Sequence, residues 1–238
     1  MNGDEPIRGR NLLLSFDDGF ISNRTVADTV LKPLGIHALF FVITDFIDLE
    51  DVESRREFIV RQLRPGTEPA IIPDHWKNMS WDDLGALLES GHTIGAHSRS
   101  HSRLSEMKDE TGLIAEIIGS GERLEHDLGI RVQHFAFPFG NLASLSSTAL
   151  AVAQRHFPFI HSGLRGDNAT GASPWAVRRD SISPCDSFSR LGALLEGAVD
   201  FRYAGDAAKL AAWGVTELPD IKKDIIDICP IRGLGRPT

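Results

Sequence analysis

Ser15-Phe16-Asp17-Asp18-Gly19 sets two carboxylates side by side directly after the apolar run Leu12-Leu13-Leu14. His97-Ser98-Arg99-Ser100-His101 sets two imidazoles four residues apart, again just after a short apolar segment. Two His and one Asp suffice to hold a divalent metal with a coordination position left open, the arrangement of catalytic rather than structural zinc. Oxygen and nitrogen donors equally admit cobalt, manganese, nickel or iron. The carboxylate left over is the base that an attacking water needs. Together the strings read as metal-assisted hydrolysis. Each also has a plainer explanation alone: the Asp pair could cap a helix at Ser22–Leu34, and a lone HxxxH is a weak signal.

What joins them is the elements that must carry them. Strand-like apolar runs at Asn11–Phe16, Ala38–Ile43, Thr93–Ala96, His134–Pro138, Phe157–Ser162 and Trp175–Ile182 alternate with helical patterns. Continuous apolar strands predict a sheet covered on both faces. Helices are expected at Arg24–Leu34, with Val26, Val30 and Leu34 on one face, and at Ser80–Glu89, with a capping box from Ser80 and Asp83 and a stop at Gly91. Further helices are expected at Asp109–Leu128, Ala143–Arg155 and Asp186–Val199. Strand–helix alternation predicts an α/β fold with a parallel sheet, either a distorted (β/α) barrel of fewer than eight strands or an open sheet. Both place catalytic residues where strands end. Asp17 and Asp18 follow the first strand and His97 the third. Alternation along a strand sends adjacent carboxylates to different places, so one can take a metal while the other faces substrate. A helical turn would put His97 and His101 on one face.

Composition narrows the classes. The 238 residues are 42% hydrophobic, enough for one core. We expect a single domain over 1–238, with a core at about 11–203, a surface excursion at about 48–78 and a C-terminal extension at about 204–238. That extension has one apolar-alternating piece, Lys223–Ile228. The formal net charge is -8, and no basic block suggests nucleic acid. Cys185 and Cys229 form no CxxC pair and read as unrelated thiols. No apolar leader or membrane-length window is found, which makes a soluble cytoplasmic protein the expectation. Oligomeric state is not readable.

The residues resemble the polysaccharide deacetylases, metal-dependent carbohydrate N- and O-deacetylases. The family's first motif, Thr/Ser-Phe-Asp-Asp-Gly, is similar to Ser15–Gly19. Its second, His-Ser/Thr-x-x-His, is similar to His97, Ser98 and His101. Its third, of the Arg-x-Pro-Tyr/Phe-Gly type, is similar to Ala136-Phe137-Pro138-Phe139-Gly140. The resemblance runs from Leu12 to Ile182. It implies a distorted (β/α) barrel, Asp17 as general base, and Asp18, His97 and His101 as ligands of one divalent ion, zinc foremost. It further implies Ser98 supporting the histidine loop, and Pro138, Phe139 and Gly140 walling the substrate groove, with a backbone N–H near Phe139 as oxyanion donor. The implied reaction is removal of an acetyl group, N- or O-linked, from a sugar or polysaccharide precursor.

Two departures matter. Ala136 stands where the third motif has Arg, so Arg179, with Arg178 second, is expected to orient Asp17. No late Leu-x-His string supplies the usual general acid, which leaves His161, at the end of its strand, as the replacement. Two other readings stay open: hydrolysis of a small non-sugar C–N bond on the same fold, and a catalytically weak carbohydrate-binding protein.

Overall fold

The computed structural model describes Gly9 and residues 11–169, 172–183 and 185–213. Lys223–Ile228 and Cys229 lie outside the described residues. Five strands, Ser15–Phe16 (β1), Leu39–Val42 (β2), Thr93–Ala96 (β3), His134–Ala136 (β4) and Phe159–His161 (β5), form one sheet in sequence order. Every pairing is parallel, with Phe40 opposite Ile94 and Ala136 opposite His161. The sheet curls into a half-barrel wrapped by helices. These are α1 (Ile21–Val26), α2 (Thr44–Ile47), α3 (Val52–Phe58), α4 (Trp81–Glu89), α5 (Glu110–Leu128), α6 (Ser147–Gln154), α7 (Phe188–Leu195) and α8 (Ala204–Trp213). Among the described residues, no helix is long and apolar enough to cross a membrane.

The two-residue period of the strands separates two environments. Phe40, Val42, Ile94, Ala96, Phe135 and Ile160 join the main core beneath the helices. Leu39, Phe41 and Ala136 form a small separate cluster on the concave face. His97 and His161 lie on that face too, with the Phe41 ring 6.3 Å and 4.9 Å from theirs. The concave face is thus part apolar and part imidazole. Gly95 on β3 is required there: a Cβ would stand 2.7 Å from the Phe41 ring and 3.0 Å from the His134 carbonyl oxygen.

Several expectations change in detail. Trp175–Ile182 is no sixth strand; it reaches the sheet through one parallel bridge, Val177 to His161. The ladder stops after that step because Arg179 N–H donates to the Leu164 carbonyl, while the Ser162 carbonyl, the next ladder acceptor, is taken by Arg179 Nε. β1 begins only at Ser15, and Leu12 and Leu13 are exposed. The helix expected at Arg24–Leu34 starts at Ile21 and continues as a π-helical stretch, Ala27–Leu31. That wider winding turns Ala27 and Leu31 inward and leaves Val30 and Leu34 exposed. By contrast, α4 carries the full Ser80–Asp83 capping box, and α5 is capped by Asp109 and closed by a left-handed Gly129.

The segment at 48–78 is more than a surface excursion. Ile43, Phe46, Ile59 and Ile72 form a second core there, with Phe20, Phe58 and Trp76 packed against it. That core holds residues 59–64 over one end of the half-barrel.

Candidate active site

β1 ends at Phe16, and the chain must then turn sharply. Phe20, not Asp17 or Asp18, occupies the N-cap of α1, and its side chain makes no capping hydrogen bond. Both carboxylates are therefore available for other work. Ser15 and Asp17 share the concave side of β1. Asp18 lies in the left-handed region at φ +73°, which swings its carboxylate toward the end of β3. Four non-glycine residues among those described have positive φ: Asp18, Ser98, His101 and Phe139. All four belong to the three motifs. Each such conformation costs about 1–3 kcal/mol, and such strain collects at functional sites.

His97 and His101 converge without a helix. The chain after β3 is irregular, and left-handed turns at Ser98 and His101 bring the second imidazole back over the first. Ser98 Oγ accepts from His101 N–H at 3.0 Å, and both of these residues are buried. His97 Nδ1 donates to the Ala136 carbonyl at 2.8 Å, and His101 Nδ1 to the Gln62 carbonyl at 3.2 Å. A carbonyl can only accept, so both imidazoles carry their proton on Nδ1 and present a bare Nε2 lone pair. Those atoms lie 3.6 Å and 3.7 Å from Asp18 Oδ1. Asp17 Oδ2 stands 3.8 Å from His97 Nε2.

Three acceptors facing one another could hold a cation. Burial pushes the Asp18 carboxyl up despite the opposing His97, and lowers the His101 imidazole to about 3 with help from His97. Donors sharing one ion at bond lengths of about 2.1 Å stand ~3.4 Å apart in a tetrahedral site. The spacing here is close to that, and Asp18, His97 and His101 are the one group among the described residues able to hold a metal. The donor set fits a divalent ion.

Asp17 is held differently. Arg179 Nη1 and Nη2 grip its two oxygens at 2.6 Å and 3.0 Å, while Nη1 also reaches Ser15 Oγ and Nε donates to the Ser162 carbonyl. The Arg179 guanidinium rests 4.8 Å from the centre of the Phe41 ring. Burial alone would raise the Asp17 carboxyl, but Arg179 and then His97 outweigh it and hold it down at about 2. Arg178 points elsewhere, 3.8 Å from Asp167.

The turn Pro138–Gly140 closes the other wall. Phe139 is partly exposed, its ring 4.6 Å from that of His101, and its N–H donates to no group among the described residues. Gly140, at φ +67°, packs on the Gly163 backbone so tightly that no Cβ fits. A cleft of about 400 Å³ opens between this turn and residues 61–65, with His101 in its wall.

The structure does not bring His161 to this mouth. Its Nε2 is 3.0 Å from His134 Nδ1, beneath the site and inside the half-barrel. Burial, reinforced by Arg179 and His134, holds the His161 imidazole down at about 2. With that nitrogen engaged by His134 inside the half-barrel, the geometry lends no support to the expected role of His161 as general acid.

Glu116 and Gln62 were not foreseen. Glu116, buried on α5, accepts from Ser100 N–H and Ser100 Oγ, while its own carbonyl accepts from Arg99 N–H. The signal was present: a carboxylate between Leu113 and Ile117 on the apolar face of a helix needs donors to face. Gln62 acts through its backbone, so no side-chain pattern marks it.

The sequence model of the polysaccharide deacetylase family matches residues 4–156, more than half the chain and spanning all three motifs. The chain belongs to the polysaccharide deacetylase family. It is a carbohydrate deacetylase, a hydrolase of the class that acts on carbon–nitrogen bonds. Solved structures of low identity share the fold. The deacetylase PplD of Streptococcus pyogenes, in complex with acetate, is 19% identical with a TM-score of 0.61 over 82% of this chain and 74% of that one. IcaB from Ammonifex degensii is 22% identical with a TM-score of 0.60, over 82% and 76%. A de-N-acetylase from Aggregatibacter actinomycetemcomitans is 17% identical with a TM-score of 0.62, over 81% and 78%. No curated protein matches.

Proposed function

We propose that this deacetylase removes the acetyl group of an acetamido sugar with one divalent ion held by Asp18, His97 and His101, and with Asp17 moving the proton in both halves of the reaction. The observation that carries this is the double grip of Arg179 on Asp17 beside a complete three-donor set. The chemistry such an ion supplies when bound is acidification of water and polarisation of the acyl oxygen. Zinc is the first choice for two imidazoles and a carboxylate.

The residues of the chain do the rest. Arg179 keeps Asp17 ionised and fixes its plane, so one carboxylate lone pair faces the attacking water. A carboxylate held near pKa 2 is a weak base, which is sufficient where the water is already acidified. Once protonated, the same group is a strong acid. It can return its proton to the leaving nitrogen, which must be protonated before the C–N bond breaks. No second protonated donor stands at the mouth among the described residues, and this shuttle accounts for that. The Phe139 N–H, on a residue that lines the cleft and without a partner among the described residues, is the candidate donor to a developing oxyanion.

The test is acetate release from N-acetylated and O-acetylated oligosaccharides by metal-loaded and metal-stripped protein. Release from the N-acetyl set that disappears on stripping and returns on reloading is expected. Release by the stripped protein at the full rate would overturn the metal role. Release from O-acetyl substrates alone would overturn the amide reading.

A further inference from the structure

The cleft beside the metal site is a positive exception on a negative chain. The sequence carries a formal net charge of -8. Yet the cleft is lined by Arg61 and Arg103, with Glu106 as its one lining carboxylate. Arg64 belongs to the same segment, between the lining residues Gln62 and Pro65 in the chain, and the Gln62 carbonyl holds His101. With the carboxylate that pairs Arg61, the rim has three guanidiniums to two carboxylates.

Those pairs are loose. Arg61 lies 3.4 Å from Glu57, both well exposed. Arg103 lies 3.4 Å from Glu106, whose side chain is 76% exposed. Exposed pairs of this kind are worth ~0–1 kcal/mol and re-pair readily. Arg64 has no carboxylate within ion-pair distance among the described residues.

Two of the three also lie over aromatic faces. The Arg103 guanidinium sits 4.5 Å from the centre of the Phe139 ring, whose neighbour on the other side is His101. Arg64 lies 5.7 Å from the centre of the Trp76 ring. Stacking fixes a guanidinium's plane and leaves its N–H edge to donate, which suits a planar carboxylate or a phosphate. Arg103 lines the cleft together with His101 and Phe139, and Arg64 adjoins its lining residue Pro65. The volume, about 400 Å³, is in the range of ~300–1,000 Å³ typical of small-molecule sites.

Building on the deacetylase reading above, we infer that the substrate carries an oxyanion, a phosphate or a sugar carboxylate, close to the acetamido group, and that Arg64 and Arg103 bind it across the cleft. The neutral parts of the saccharide then lie against Phe139 and Pro65.

Direct titration of the full, metal-loaded chain tests this without turnover. The probes are N-acetylglucosamine, N-acetylglucosamine 6-phosphate, a neutral chitotetraose and a glucuronate-containing tetrasaccharide with N-acetylglucosamine. At low salt the phosphate or the uronate should bind at least ~10-fold more tightly than its neutral counterpart, as two charge-assisted contacts imply. The advantage should shrink as salt rises in the unaltered protein. It should vanish in Arg64→Ala/Arg103→Ala. Which of the two anions gains tells phosphate from carboxylate. Equal affinity for charged and neutral probes overturns the inference. So does an advantage that survives in the double variant, because the anion would then be held by the metal. Acetate release followed in parallel keeps the two readings apart. Anion-selective binding with no acetate released from any saccharide overturns the deacetylase mechanism and upholds the oxyanion site.

Discussion

On the histidine side of the site the fixing groups are mostly backbone: the Ala136 and Gln62 carbonyls orient the imidazoles, and Ser98 closes the turn between them. On the Asp17 side nearly everything depends on one side chain, Arg179, from 162 residues away. A backbone-held ligand set survives most substitutions outside the ligands themselves, because carbonyls cannot be mutated. A base held by a single guanidinium has no such protection. The two halves should fail separately and by different signatures.

The largest effects test that separation. Asp18→Asn and His101→Ala should drop bound metal toward zero and turnover to background, read by metal analysis with acetate release. Asp17→Asn should keep its metal and still lose about 10²–10⁴ in kcat, the range of a lost general base. Loss of metal in Asp17→Asn would mean that the two halves are one.

Arg179→Met comes next. Partners that orient a functional group cost ~10–100-fold when lost, and that range is expected in kcat/KM with metal content unchanged. The pH profile gives the signature. Arg179 favours the charged form of Asp17, so removing it raises the Asp17 pKa above its present value of about 2. The acid limb of kcat/KM should therefore move to higher pH. Arg178→Met should leave both rate and profile in place; an effect as large as that of Arg179→Met would reverse the assignment.

The same contrast explains what could be read from the chain before its structure. The three residues that could hold a metal sit in two short strings at strand ends, and local pattern singled them out. Arg179 was reachable only through the Ala136 departure in the third motif, and in the fold it is Arg179, not Arg178, that contacts Asp17. The strands at Ala38–Ile43 and Thr93–Ala96 were legible because both faces are buried. Trp175–Ile182 misled because the Arg179 side chain takes the Ser162 carbonyl that the next ladder bond would need, and Arg179 N–H turns to Leu164 instead. The buried face at 24–34 was misread because a π-helical stretch, Ala27–Leu31, breaks the 3.6-residue period on which the pattern rests. His161 failed for a related reason. Its place at a strand end was right, but its neighbour His134 comes from another strand, and no spacing along one segment reveals it.

Glu116→Gln gives a smaller, sharper test of the histidine side. The carboxylate accepts from both Ser100 groups, and an amide would turn an N–H toward one of these donors. We expect weaker metal affinity, by a factor within the ~10–100-fold typical of supporting partners, and kcat unchanged at saturating metal. A fall in kcat that excess metal does not restore would show the loop shaping more than the ligand set.

The smallest catalytic effect belongs to His161→Phe. If His161 gives no proton to the leaving group, kcat stays near the unaltered value, far from the ~10²–10⁴-fold loss of a general acid. Stability should change instead. His134 loses the partner of its Nδ1, which costs about 1–3 kcal/mol for a buried polar group. Burial holds His161 at about 2 and His134 at about 4 in the folded chain, against 6.5 for an ordinary imidazole. Between pH 6.5 and 4 the unfolded chain therefore binds protons that the folded chain refuses. Stability from this pair is complete above pH 6.5 and declines as pH falls. In His161→Phe one of the two imidazoles is gone, so thermal melts across that window should show a shallower decline from a lower starting Tm. A steep loss of kcat at unchanged stability would instead return His161 to the chemistry, and would make the interior of the half-barrel part of the proton path.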